Sequence, residues 1–118
     1  MIFDLGIISN NKKSQIKNSL IPNKNMILEI VSPESVLFND EVTSVSLPGV
    51  DGSFQVLNNH APIVSILKSG IVTVTAKGYV LNKDVEKKFT KVNDQVFTLQ
   101  ILSGTIEMKD NKIIVLAD

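Results

Sequence analysis

The chain has 118 residues with no cysteine and no tryptophan, and its twelve basic residues, all lysine, balance twelve acids. This excludes a disulfide scaffold and a thiolate zinc site. With no arginine, few aromatics and no basic cluster beyond Lys87-Lys88, it also argues against nucleic-acid binding. No stretch reaches the ~20 apolar residues a membrane helix needs, and the length suits one domain.

Residues 1–25 differ from the rest. Asn10-Asn11-Lys12-Lys13 and Ile21-Pro22-Asn23-Lys24-Asn25 are polar and unpatterned, and the segment carries four lysines against Asp4 alone. The apolar run Met1-Ile2-Phe3 to Ile7-Ile8 is broken by Asp4 and is too short for a signal-peptide core or a span. Transit peptides are usually arginine-rich, and no arginine is present. With too little apolar surface to offset the ordering entropy, residues 1–25 read as a flexible extension, and Met26 as an alternative translation start. The domain is expected over 26–118.

From Met26 on, strand patterning dominates. Met26-Leu28-Ile30 alternates with Ile27-Glu29-Val31, and Ser32-Pro33 stops that run. Val36-Leu37-Phe38 reaches Asn39-Asp40, whose tolerance of left-handed backbone suits a hairpin turn. Thr43-Val45-Leu47 and Phe54-Val56 repeat apolar residues at period two on either side of a tight Gly49-Val50-Asp51-Gly52 turn. Ile63 to Leu67 ends at Lys68-Ser69-Gly70, and Val72-Val74-Ala76 alternates with Thr73 and Thr75. The stretch from Lys77-Gly78 through Tyr79, Asn82 and Asp84 is open to strand, loop or both. Lys83 to Lys88 reads as a solvated hairpin of mixed charge.

Farther on, Lys87–Val92 and Gln95–Ile101 flank Asn93-Asp94, which predicts a hairpin. Gly104 reads as a bulge or bend where two backbones approach closely. Thr105–Lys109 and Lys112–Leu116 flank Asp110-Asn111, a two-residue turn of the favoured type. The final strand is apolar on both faces, so it lies centrally between layers or another chain covers one face. About ten short strands with turn signals every eight to twelve residues predict an all-β fold, an antiparallel sandwich or flattened barrel without a long helix.

Chemistry has few candidates. His60 is the single histidine, and a general base needs a nucleophile or carboxylate at hydrogen-bond distance. No G-x-S-x-G, second histidine or cysteine supplies one, and no second histidine or cysteine supports a metal. A structural or interface role, with a ring nitrogen tying loop backbone before Ala61-Pro62, is the simpler reading. Gly49-Val50-Asp51-Gly52 lacks the Lys-Ser/Thr and the following helix of a phosphate cradle. As a turn, it puts Asp51 at an exposed tip, a common place for partner contacts.

Four stretches together resemble the epsilon subunit of F-type ATP synthases, called delta in mitochondria. They are Met26-Ile27-Leu28-Glu29-Ile30-Val31-Ser32-Pro33-Glu34, then Leu47-Pro48-Gly49 with Asp51-Gly52-Ser53-Phe54, then Leu57-Asn58-Asn59-His60-Ala61-Pro62, and finally Leu102-Ser103-Gly104 with Asn111 to Val115-Leu116-Ala117-Asp118. Their order and spacing run from Met26 to the end. The resemblance implies a ten-stranded antiparallel β-sandwich and a non-catalytic rotor subunit of the central stalk. Such a subunit holds gamma to the c ring and couples proton transport to ATP synthesis. It implies no cofactor, no direct ATP binding, and membrane association only through the complex, at the cytoplasmic face of a bacterial inner membrane. Carried over residue by residue, His60, Ala61 and Pro62 match the segment facing gamma, and Asp51, Gly52 and Ser53 match the loop meeting the c ring.

Three departures accompany the resemblance. The glycine pair near the final hairpin is shortened to Gly104-Thr105. The Lys77–Gln95 segment is longer than in compact members, which predicts a projecting hairpin. The sequence stops at Leu116-Ala117-Asp118, where longer members continue into a regulatory helical hairpin, so none is expected here. The competing reading, a free-standing β-sandwich that binds a carbohydrate or small ligand, calls for aromatic platforms, and the chain has only Tyr79 among tyrosines.

Overall fold

The computed structural model describes residues 25–118, so the extension expected over 1–25 lies, but for Asn25, outside the described residues. Ten strands follow in order: β1 Met26–Val31, β2 Val36–Val42, β3 Ser44–Gly49, β4 Gly52–Leu57, β5 Ile63–Leu67, β6 Gly70–Thr75, β7 Phe89–Lys91, β8 Val96–Ile101, β9 Gly104–Lys109 and β10 Lys112–Ala117. Among the described residues the helical content is one 3₁₀ turn at Glu86–Lys88.

The strands form one curled sheet that folds into two layers. The first layer runs β2-β1-β10-β9-β5, and the second runs β4-β3-β6-β8-β7. They join at a corner where Gly49 of β3 pairs with Leu67 of β5. Period-two alternation does the sorting: Met26, Leu28 and Ile30 of β1 are wholly buried while Ile27, Glu29 and Val31 are half-buried on the outer side. Val45, Leu47, Val72, Val74 and Phe97 of the second layer meet Ile106, Met108, Ile113 and Val115 of the first in a single core. All pairings are antiparallel except β1 with β10, which is parallel. That pair is the one departure from the expected all-antiparallel sheet.

Corners of one or two residues carry the chain between layers. Thr43, between β2 and β3, donates through its backbone N–H and its Oγ1 to the Thr75 carbonyl, at 2.7 and 3.0 Å. Ser103, between β8 and β9, donates through Oγ to the Asp118 carboxylate at 2.8 Å and accepts the Asp118 N–H at 3.1 Å.

Several expectations are corrected. Asn39-Asp40 is not a turn: β2 runs through both residues, pairing Asn39 with Glu29 and Asp40 with Leu28. The reversal lies at Ser32–Ser35, where the Ser32 hydroxyl accepts the Glu34 and Ser35 N–H groups and Pro33 ends the strand. Polar residues at 39–41 guard a sheet edge. The Lys83–Lys88 run forms no hairpin, and the 77–95 segment does not project as one. Val85 in its middle is buried, Tyr79 and Leu81 pack on the core, and the Tyr79 hydroxyl donates to the Asn93 carbonyl at 2.8 Å. Two apolar side chains and an aromatic stack hold that segment down.

Other expectations hold. Asp110 and Asn111 both have positive φ, 53° and 63°, as the two-residue turn requires. β7 and β8 form the Asn93-Asp94 hairpin, with the Asn93 side chain accepting the Gln95 and Val96 N–H groups. Gly104 is a place of close backbone approach, since a Cβ there would collide with the Leu116 carbonyl oxygen. Its ladder to β10 is unbroken, so it is not a bulge. The apolar last strand is central within its layer, paired to β1 and β9, with Ile113, Val115 and Ala117 inward and Leu116 left on the outer face.

Candidate functional site

The two sets of residues singled out in the sequence occupy opposite ends of the sandwich. Asp51, Gly52 and Ser53 stay together at the β3–β4 tip, all exposed. His60, Ala61 and Pro62 stay together, also exposed, in the β4–β5 connection. β4 starts within the first set, and its last four residues, Phe54–Leu57, lead toward the second; the six-residue strand spans about 20 Å.

The tip is a tight reversal. Gly49 pairs with Gly52 and Pro48 with Ser53. Gly52 sits at φ 128°, a backbone that a side chain would strain. A Cβ on Gly49 would lie 2.8 Å from both the Gly52 carbonyl oxygen and the Phe54 ring, so both glycines are needed for the tip to close. The Val50 N–H donates to the Ile66 carbonyl at 3.1 Å and the Lys68 N–H to the Pro48 carbonyl at 2.8 Å. The tip is thereby fixed to the layer corner as a rigid projection.

At the opposite end, the His60 N–H donates to the Leu57 carbonyl at 3.1 Å and closes a turn in which Asn59 takes φ 65°. His60 Nδ1 lies 2.8 Å from the Ala61 carbonyl oxygen. A carbonyl only accepts, so Nδ1 carries the proton in this bond. The ring thus ties loop backbone. Its partner in this bond is a carbonyl, not a carboxylate that could orient it as a general base.

Two features escaped the sequence reading. The first is Asn111, read only as a turn residue. Its Oδ1 accepts the Asn59 N–H at 2.8 Å, its Nδ2 donates to Asn58 Oδ1 at 2.6 Å, and its carbonyl accepts the Ile27 N–H at 3.0 Å. The pair of asparagines before His60 was the available signal, since two adjacent amides in a loop call for partners. The second is the outer face of the first layer. Val64 and Ile66 of β5 are 79% and 62% exposed, and Leu116 of β10 is 52% exposed. Ile66 pairs with Thr105, and Thr105 with Leu116, so an apolar row crosses the sheet. The apolar run Ile63–Leu67 held the same two-faced pattern as the last strand.

Around that row lies a groove of about 600 Å³, lined by Val31–Pro33, Ile66, Thr105 and Leu116 among others, with no aromatic side chain. A smaller polar hollow of about 290 Å³ holds Asp40, Glu41 and Lys77 near the opposite end. Lys112 approaches Glu29 at 4.0 Å across the outer face, a surface pair of little energetic weight. Among the described residues no three His, Cys, Asp or Glu side chains gather as a metal site. None of the described helices is long and apolar enough to cross a membrane. The arrangement offers rigid ends and an apolar face, which is the chemistry of contact.

Residues 25–118 match the family described as ATP synthase, Delta/Epsilon chain, beta-sandwich domain. The chain is 40% identical over 91 residues to the ATP synthase epsilon chain of Campylobacter concisus (strain 13826), covering 77% of this chain and 59% of that protein. It is 37% identical over 90 residues to the epsilon chain of Rhodopseudomonas palustris (strain BisB18), covering 76% and 55%. It therefore spans a little over half the length of these curated relatives. Among solved structures, it resembles a chain in the Tetrahymena thermophila mitochondrial ATP synthase central stalk and c-ring structure. The TM-score there is 0.60 at 15% identity, over 81% of this chain and 64% of that one. A chain of the Euglena gracilis mitochondrial ATP synthase gives a TM-score of 0.64 at 17% identity, over 92% and 59%. At those identities the structures speak to the fold.

Proposed function

The chain belongs to the delta/epsilon family of ATP synthase subunits, with residues 25–118 forming the family's β-sandwich domain, and on that premise we propose that it is a non-catalytic rotor subunit holding gamma to the c ring. The observation that carries the reading is the placement of two rigid loop sets at opposite ends of one strand, β4. A coupling subunit needs two docking surfaces far enough apart to grip two partners, and a stiff body between them. The Asp51–Ser53 tip meets the c ring, and the His60–Pro62 segment meets gamma. From there gamma extends over Val64 and Ile66, which follow Pro62 directly on β5 and are too exposed for a core role. The subunit binds neither cofactor nor ATP. It sits peripherally at the cytoplasmic face of a bacterial inner membrane, in keeping with its bacterial sequence relatives.

A free-standing ligand-binding module has less support. The groove along Ile66 and Leu116 has no aromatic platform and a mostly aliphatic lining. Cysteines at Ser53 and His60, placed one at a time in the assembled complex with a short crosslinker, separate these readings. Position 53 is expected to capture a c subunit and position 60 gamma. Capture of one and the same subunit by both positions, or of neither partner, overturns the assignment.

A further inference from the structure

We propose that Asn111 is the positioning residue of the His60 segment: its side chain, on the β9–β10 turn, sets the shape in which that segment is offered to gamma. The inference rests on the reading that the segment meets gamma and deepens it. Asn111 is the buried polar residue among the described residues, 8% exposed, and it occupies the second left-handed position of the turn. A turn asparagine commonly bonds backbone of its own turn, whereas this one reaches a loop 52 residues earlier in the chain.

Both ends of its amide are used. Oδ1 takes the backbone N–H of Asn59, the residue at φ 65°, and Nδ2 donates to the side chain of Asn58. Asn59 is itself exposed and the bond part-buried, so what the bond supplies is a fixed position for the turn, at the modest net worth of one hydrogen bond. The Asn111 carbonyl also receives the Ile27 N–H from β1. One residue therefore ties the His60 turn to two strands of the first layer. Among the described residues the His60 segment itself adds the His60 N–H bond to Leu57 and the ring bond to Ala61, both within the segment. The flanking strands anchor its two ends, through Leu57 paired with Ser44 and Ile63 with Met108, and Asn111 adds the side-chain tie that holds the turn between them.

The test uses the full chain and purified gamma. Asn111→Gly keeps the left-handed backbone, which glycine adopts freely, and deletes both side-chain bonds. Asn111→Asp keeps the acceptor for Asn59, and Asn58 can turn its amide to donate to the second carboxylate oxygen, so it serves as the rescue. In the glycine variant the Asn59 amide is expected to exchange hydrogen about tenfold faster or more, and the dissociation constant for gamma to rise by about tenfold. Affinity for the purified c ring stays unchanged, and the aspartate variant stays near wild type in all three. Unchanged Asn59 exchange in the glycine variant overturns the tie, and faster exchange with unchanged gamma affinity overturns the positioning role. Equal losses for gamma and the c ring indicate a general loss of structure and also overturn it. His60→Ala, measured in parallel, isolates the underlying reading. If it binds gamma as wild type does, the segment is not the gamma surface, whatever Asn111 does to Asn59.

Discussion

Phe97 of β8 and Phe38 of β2 face each other across the two layers, their ring centroids 5.0 Å apart and tilted by 53°. Phe97 is wholly buried and also touches Tyr79 at 4.5 Å and Phe89 at 5.3 Å. It is therefore the hub at which the first layer, the second layer and the 77–88 segment meet. Aromatic pairs of this kind add about 0.5–1.5 kcal/mol beyond the area they bury.

Phe97→Ala is expected to remove about 3–5 kcal/mol of unfolding free energy, a large share of the ~5–15 kcal/mol a domain possesses. Urea denaturation measures it. A loss under about 1 kcal/mol means the neighbouring rings close the gap and the hub role is wrong.

Gly104→Val places a side chain against the Leu116 carbonyl, in a strand paired on both sides. Neither ladder can shift without breaking the other. The expected cost is about 1–3 kcal/mol, a fall in Tm of roughly 4–20 °C for a domain of this size. A variant melting at the wild-type temperature contradicts the close approach.

Val64→Lys and Ile66→Lys change side chains that already face solvent, so stability should move by no more than about 0.5 kcal/mol. Affinity for gamma should fall by about tenfold or more, because a lysine ammonium would be desolvated on an apolar contact. Wild-type gamma binding by both variants would remove the outer face of β5 from that interface.

Calorimetry of the isolated chain with magnesium-ATP should show no saturable heat from a dissociation constant tighter than about 1 mM. In the Gly49–Gly52 turn the two glycines pair with each other and the Val50 N–H is taken by Ile66, so the turn does not offer a free row of N–H groups to a phosphate. Micromolar binding would require a site elsewhere and would sink this expectation.

Local features were legible in the sequence, and distant pairings were not. The Asp110-Asn111 turn could be read because left-handed tolerance is a property of those two residues and their flanks. The same tolerance misled at Asn39-Asp40, where polar residues serve an edge strand and the turn is built by the Ser32 hydroxyl instead. Val85 was hidden in a run of charges, since one apolar residue among five charged neighbours gives no periodicity to read. The members of each proposed contact set could be named from the chain, as could the strand that separates them. The Asn111 bond to Asn59 could not, because a contact across 52 residues leaves no local mark. Nor does alternation in β1 and β10 say that they lie side by side and parallel.

That parallel pairing bears on how the protein is made. β1 is the first strand of the sandwich to leave the ribosome, and its neighbour β10 is the last. Until β10 emerges, Leu28 and Ile30 have β2 on one flank and an empty ladder on the other. The first layer therefore closes only once β9 and β10 arrive together as a hairpin and slot between β1 and β5. Such late, non-local closure is slow and leaves strand edges open in the meantime. The nascent subunit spends that interval as a natural client for chaperones, and its yield in a cell should depend on them more than the stability of the finished sandwich suggests.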